Sequence, residues 1–109
     1  MNLLSRKLVL EARVRVADGA GGYDRGWVAL GTHWGEVRQG SARLERGEEV
    51  SRARASYRIK LRAVSQTSPA YPQAGQRFRE GVRIYEIRSV SMDTDARFLT
   101  CVVDEEVAS

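Results

Sequence analysis

Residues 52–63, RARASYRIKLRA, alternate at a period that a helix cannot use. Ala53, Ala55, Tyr57, Ile59, Leu61 and Ala63 fall on one parity, and Arg52, Arg54, Ser56, Arg58, Lys60 and Arg62 on the other. Successive side chains of an extended chain point to opposite faces, so the pattern predicts a strand with one apolar face. Its other face is a row of cations, with alternate residues about 6.6 Å apart. A strand of this kind must be covered by a sheet or barrel, and that requirement organises the rest of the chain.

Four further segments meet the requirement. In KLVLEARVRVAD, Leu8, Leu10, Ala12, Val14 and Val16 share a parity, and GWVALGTHWGEVR is rich in strand formers. Its alternation is broken: Trp27, Ala29 and Val37 fall on one parity and Leu30 and Trp34 on the other, so Gly31 or Gly35 marks a bulge or bend. RFREGVRIYEIRSV reads as a short strand, a turn at Glu80–Gly81 and a longer strand. RFLTCVVDEE closes the chain with Leu99, Cys101 and Val103 on one face. Trp27, Tyr57, Phe78, Tyr85 and Phe98 are the aromatic core candidates.

The connections are read as loops. DGAGGYDRG at 18–26 has turn chemistry, and SQTSPAYPQAGQ at 65–76 holds both prolines. Residues 39–51 are charged, with Leu44 and Val50 as their sizeable apolar side chains, and read as a long excursion ordered by a partner. No segment sustains a helical period and no repeat is evident. A chain of 109 residues is then one all-β domain, a small barrel or sandwich of five or more antiparallel strands.

Several function classes fall away. The lone Cys101 allows no intrachain disulfide and no thiolate cluster, and its FLTCVV context makes it a small hydrophobe. No uninterrupted apolar run suits a leader peptide or a membrane span, so the default expectation is an intracellular, reducing compartment with no membrane contact. His33, in HWGEVRQG, is the only histidine, and Glu36 lies on the opposite parity of its strand. That separation predicts a packed or rim histidine rather than a general base. The glycines of DGAGGYDRG lack the Lys-Ser/Thr ending of a phosphate loop and are not followed by a helix. No catalytic residue, metal ligand or cofactor is expected.

With 18 Lys and Arg against 14 Asp and Glu, the net charge of +4 is compatible with a polyanionic partner without requiring one. The stripe Arg52, Arg54, Arg58, Lys60 and Arg62 has three readings. It is a solvated face paired with acids on neighbouring strands, a contact to acids of a neighbouring subunit, or a DNA contact through phosphates alone. Acids available to a neighbour are Glu45, Glu48 and Glu49 in the charged excursion and Asp104, Glu105 and Glu106 at the C-terminal end. Tyr23 and Tyr71, in loops, are candidates for exposed partner contacts.

The order of these pieces resembles the phage head–tail joining family, the small head-completion or stopper proteins of long-tailed phages and gene transfer agents. The resemblance is carried by Trp27, Trp34, Glu36 and Val37 as W-x-x-x-x-x-x-W-x-E-V and by GSARLERGEE as a loose counterpart of an SGRE-like stretch. SYRIKLRA, GQRF, the hairpin residues Gly81, Tyr85, Glu86, Ile87 and Val90, and RFLTCVVDEE complete it. It spans roughly residues 6–106. It implies a six-stranded antiparallel β-barrel with long loops, assembled as a hexameric or dodecameric ring in the neck of a virion built in the bacterial cytoplasm. The ring would join the portal–adaptor complex to a tail-terminator or tail-completion ring and surround or gate the channel for packaged double-stranded DNA. A head-to-tail ring needs two unlike complementary patches on each subunit. The alternative is a monomeric nucleic-acid-binding barrel of the OB type, using the basic strand and stacked aromatics.

Overall fold

The computed structural model describes residues 4–40 and 55–106. Six strands form: β1 (Arg6–Ala17), β2 (Tyr23–Gln39), β3 (Ser56–Arg62), β4 (Arg77–Glu80), β5 (Arg83–Met92) and β6 (Phe98–Glu105). They pair antiparallel in the order β1-β2-β3-β6-β5-β4, and β4 returns to β1 to close the barrel. Closure removes the open edges that a flat sheet of these strands would expose.

The apolar parities predicted for β1, β3 and β6 meet inside, joined by residues of β4 and β5. Leu8 and Leu10 of β1, Ile59 and Leu61 of β3, Phe78 of β4, Tyr85 and Ile87 of β5, and Cys101 and Val103 of β6 form one buried cluster. Burying a side chain of this size contributes about 1.5–3 kcal/mol each, which makes this cluster the main source of cohesion. Leu30, Val37, Tyr57 and Val90 pack against it.

The broken alternation of β2 is a bulge. Leu10 lies opposite Gly31 and Glu11 opposite Ala29, so Leu30 is the extra residue. Both Leu30 and the following odd positions therefore face inward, while Trp27 and Ala29 before the bulge and Trp34 after it face out. Gly35 is not a bend. It is an inward position whose side-chain space is filled by its neighbours: a Cβ there would lie 2.8 Å from Leu61 Cδ2 and 2.9 Å from Leu8 Cδ1.

Two aromatic expectations are corrected by these faces. Trp27 and Phe98 are half-buried on the outer surface, not in the core. Trp27 lies opposite Arg13 and Phe98 opposite Arg62, both outward residues. Phe78 and Tyr85 are fully buried as expected.

The first loop is also shorter than expected. The strands run to Ala17 and resume at Tyr23, leaving a tight turn in which Asp18 Oδ1 accepts from the backbone N–H of Ala20 (2.8 Å) and Gly22 (3.0 Å). The β4–β5 turn holds Gly81 at φ 60°, the conformation that a two-residue hairpin loop needs at its first position. In the turn 93–97, Asp93 Oδ1 accepts from Arg97 N–H at 2.9 Å.

Both ends of the barrel are plugged. At the end where β5 begins, the inward Arg6 guanidinium meets Glu80, with 2.7 Å from Nε to Oε2. Arg83 meets Glu105, with 2.7 Å from Nε to Oε2, and the Tyr57 and Tyr85 rings pack edge-to-face at 5.6 Å. At the other end the 63–76 connection folds back over the interior, with Pro72 fully buried. The barrel is a filled core and not a pore.

Candidate interaction surfaces

His33 is structural. The residue is 6 % exposed and its Nε2 hydrogen-bonds the carbonyl of Ala70 at 2.7 Å. It packs edge-on to Phe78 with centroids 6.1 Å apart, so it anchors the 63–76 connection. Glu36 lies on the opposite face and pairs with Arg38. Among the described residues no group of three His, Cys, Asp or Glu side chains is arranged to hold a metal ion. Tyr71, within the packed connection, is half-buried, whereas Tyr23 is 66 % exposed.

The basic stripe is where the alternation placed it. Arg58, Lys60 and Arg62 point outward from β3; Arg52 and Arg54 lie outside the described residues. Among the described residues none of the three forms an ion pair. Arg58 lies between Arg38 and Val102, and Glu36, opposite Lys60, is engaged by Arg38. Lys60 Nζ sits 4.4 Å from the Phe98 ring centroid, a cation–π contact. Like charges directly opposite are unfavourable, and beside the Arg38–Arg58 pair across β2 and β3 Glu36 engages Arg38.

The acids proposed for neighbours are partly used within the chain. Arg88 Nε donates to Asp104 Oδ2 at 2.7 Å, and Arg83 takes Glu105. The arginine hydrogen bonds hold the carboxyls of Glu80 and Glu105 below the usual glutamate range, against the upward push of burial. Glu106 is exposed; Glu45, Glu48 and Glu49 lie outside the described residues.

Parity arguments on single strands missed a second basic surface. β1 pairs with β4 only over Val9–Glu11, and β2 with β3 only from Gly35 onward. Residues 12–17 and 23–28 therefore pair only with each other and project as a two-stranded ribbon. Its outer face carries Arg13, Arg15 and Arg25, with Arg15 and Arg25 directly opposite. Arg13 lies 5.2 Å from the Trp27 centroid and Arg15 5.6 Å from Tyr23, while Arg77 of β4 stacks on Trp27 at 3.9 Å. The R-x-R spacing of Arg13 and Arg15 was visible; the partner strand that doubles it was not.

Residues 2–106 match a family described as phage head completion protein. No curated protein matches the chain. Among solved structures, a chain of a structure titled "Virion of native gene transfer agent (GTA) particle" is similar, with 43% identity, 96% of each chain covered and a TM-score of 0.77.

Proposed function

Because the chain belongs to the phage head completion protein family, we propose that it acts as a ring-forming stopper at the junction between a phage-type head and its tail. Its role in the particle is structural. The ring would join the portal–adaptor end of the head to a tail-side ring and surround packaged double-stranded DNA. The observation that carries this reading is the likeness, over 96% of both chains, to a component of a gene transfer agent virion.

The plugged barrel supports it. Tyr85, Phe78 and the rest of the core leave no passage through a single subunit, so a channel for a duplex has to lie between subunits. The outward cations on β3 suit either a neighbouring subunit or sliding phosphates, since neither demands base readout. One of the connections between strands would narrow the channel.

Removing the chain from its particle tests the reading. The expected phenotype is DNA-containing heads without attached tails, restored by supplying the chain in trans and scored by electron microscopy. Complete, tailed particles formed without it would overturn the proposal. A second reading, an OB-type nucleic-acid binder, draws on Trp34, 56 % exposed on the same outer surface as Phe98 and Lys60. Fluorescence anisotropy with a labelled single strand across a salt series separates them: the stopper gives weak binding, the OB reading tight and steeply salt-dependent binding.

A further inference from the structure

The ribbon formed by residues 12–17 and 23–28 is incomplete as a monomer feature. A two-stranded ribbon alone is marginal in water. On its inner face Val28, 42 % exposed, lies opposite Ala12, and Val14 lies opposite Gly26, while its outer face sets Arg15 against Arg25. Among the described side chains no carboxylate pairs with Arg13, Arg15 or Arg25. Both features gain from a partner that covers apolar surface and brings negative charge.

The opposite flank of the same barrel has the complementary sign. In the strand order β1-β2-β3-β6-β5-β4, β6 and β5 lie across the barrel from β1 and β2. Glu86 on β5, Asp95 in the 93–97 turn and Glu106 after β6 are all exposed there, Asp95 at the end where β6 begins and Glu86 and Glu106 toward the sealed end. Arg88 and Arg97 share this flank, but Arg88 is engaged by Asp104 and lies 3.6 Å from Glu86. Carboxylates therefore outnumber cations on this side. The turn bearing Asp95 and the ribbon also lie toward the same end of the barrel, since β1 ends and β6 begins there.

We infer that the arginine-faced β1–β2 ribbon of one subunit docks against the carboxylate-bearing β5–β6 flank of a second copy of this chain. The inference rests on the ring reading above and specifies the interface that closes it. Two unlike, complementary patches on opposite flanks are what a head-to-tail ring requires, whereas a two-fold dimer would bring like charges together.

The heterologous geometry gives a test by exchange of charge. A ribbon-reversed variant carries Arg15→Glu and Arg25→Glu; a flank-reversed variant carries Glu86→Arg and Asp95→Arg. The full-length chains are studied by sedimentation velocity and native mass spectrometry at low and high salt, with circular dichroism to confirm folding. The wild type forms rings that loosen at high salt. Each folded variant alone is monomeric, with association weakened at least about tenfold. An equimolar mixture forms rings again, with the two subunits alternating and an even copy number. Wild-type-like rings from either variant alone, or no rings from the mixture, overturn this interface and leave the ring reading standing. A folded wild type that is monomeric under all these conditions and also fails to assemble on the portal–adaptor complex overturns the ring reading itself.

Discussion

Glu11 and Arg77 lie opposite each other where β1 and β4 close the barrel, and their ion pair is capped by an indole. Glu11 is on the outer face yet only 6 % exposed, and Arg77 Nε donates to its Oε1 at 2.8 Å and Arg79 Nε to its Oε2 at 3.0 Å. The Arg77 guanidinium in turn stacks on Trp27, a β2 residue. Only three residue pairs join β1 to β4, so this carboxylate reinforces the shortest seam of the sheet.

Glu11→Gln should therefore destabilise the protein by about 2–3 kcal/mol, since it leaves two guanidinium groups around a neutral amide at a shielded site. Arg79→Ala should cost less than about 1 kcal/mol, because that side chain is 48% exposed. Urea midpoints for the two variants measure the difference. Equal effects would mean that the seam does not depend on the shielded carboxylate.

Gly35→Ala should destabilise by about 1–3 kcal/mol through overpacking. The added methyl meets the ends of Leu8 and Leu61 and lies 3.1 Å from the Lys60 carbonyl oxygen, which cannot move without disturbing β3. A thermal melt reads the loss. A variant as stable as the wild type would show that the two leucines have room to retreat.

Acid stability follows from the sealed end. Hydrogen bonds from Arg6 and Arg83 hold Glu80 and Glu105 below the ordinary value of 4.5. The unfolded chain thus takes up protons first, and the stabilisation is fully present above the ordinary value. It is lost as pH falls through the depressed folded-state values. Glu80→Gln with Glu105→Gln should lower stability at neutral pH and flatten its decline below pH 4.5, as read from urea midpoints across an acid series. An unchanged acid slope would remove these pairs from the account.

Alkaline behaviour has the opposite sign. Burial pushes the Cys101 thiol from 9.0 up to about 12 and the Tyr85 phenol from 10.0 up to about 12. Ionisation therefore favours the unfolded chain, and stability should fall as pH rises from 9 towards 12. At neutral pH, modification of Cys101 by a disulfide reagent should proceed at the rate of unfolding and accelerate in denaturant. Rapid labelling of the native protein would contradict its burial.

How far the residues alone reached depends on the element. The faces of β3 and β6 were legible because each keeps one parity over its core positions, and those sides meet inside as Ile59, Leu61, Cys101 and Val103; β5 changes parity at a bulge after Ile87, so that Val90 also turns inward. The Glu80–Gly81 turn was legible because glycine relieves the positive φ that the hairpin imposes. His33 was readable as a packed histidine, since Glu36 lay on the other parity. Its bond to Ala70 was not, because the partner sits 37 residues away in a loop without periodicity.

Trp27 and Phe98 show where the reading fails. An aromatic on a strand satisfies a core or an outward stack on arginine and lysine equally well, and the bulge at Leu30 decides which parity of β2 faces inward. The amino-acid order by itself thus determined the strands, most of their buried faces and the cationic stripe of Arg58, Lys60 and Arg62, because alternation is a property of the extended backbone. Only the tertiary structure decided that Glu11 would close the sheet with Arg77, that two ion pairs would seal one end, and that β1 and β2 would run on together as an arginine-faced ribbon. Each of these joins residues far apart in the chain, and no local pattern specifies which distant strand supplies the partner.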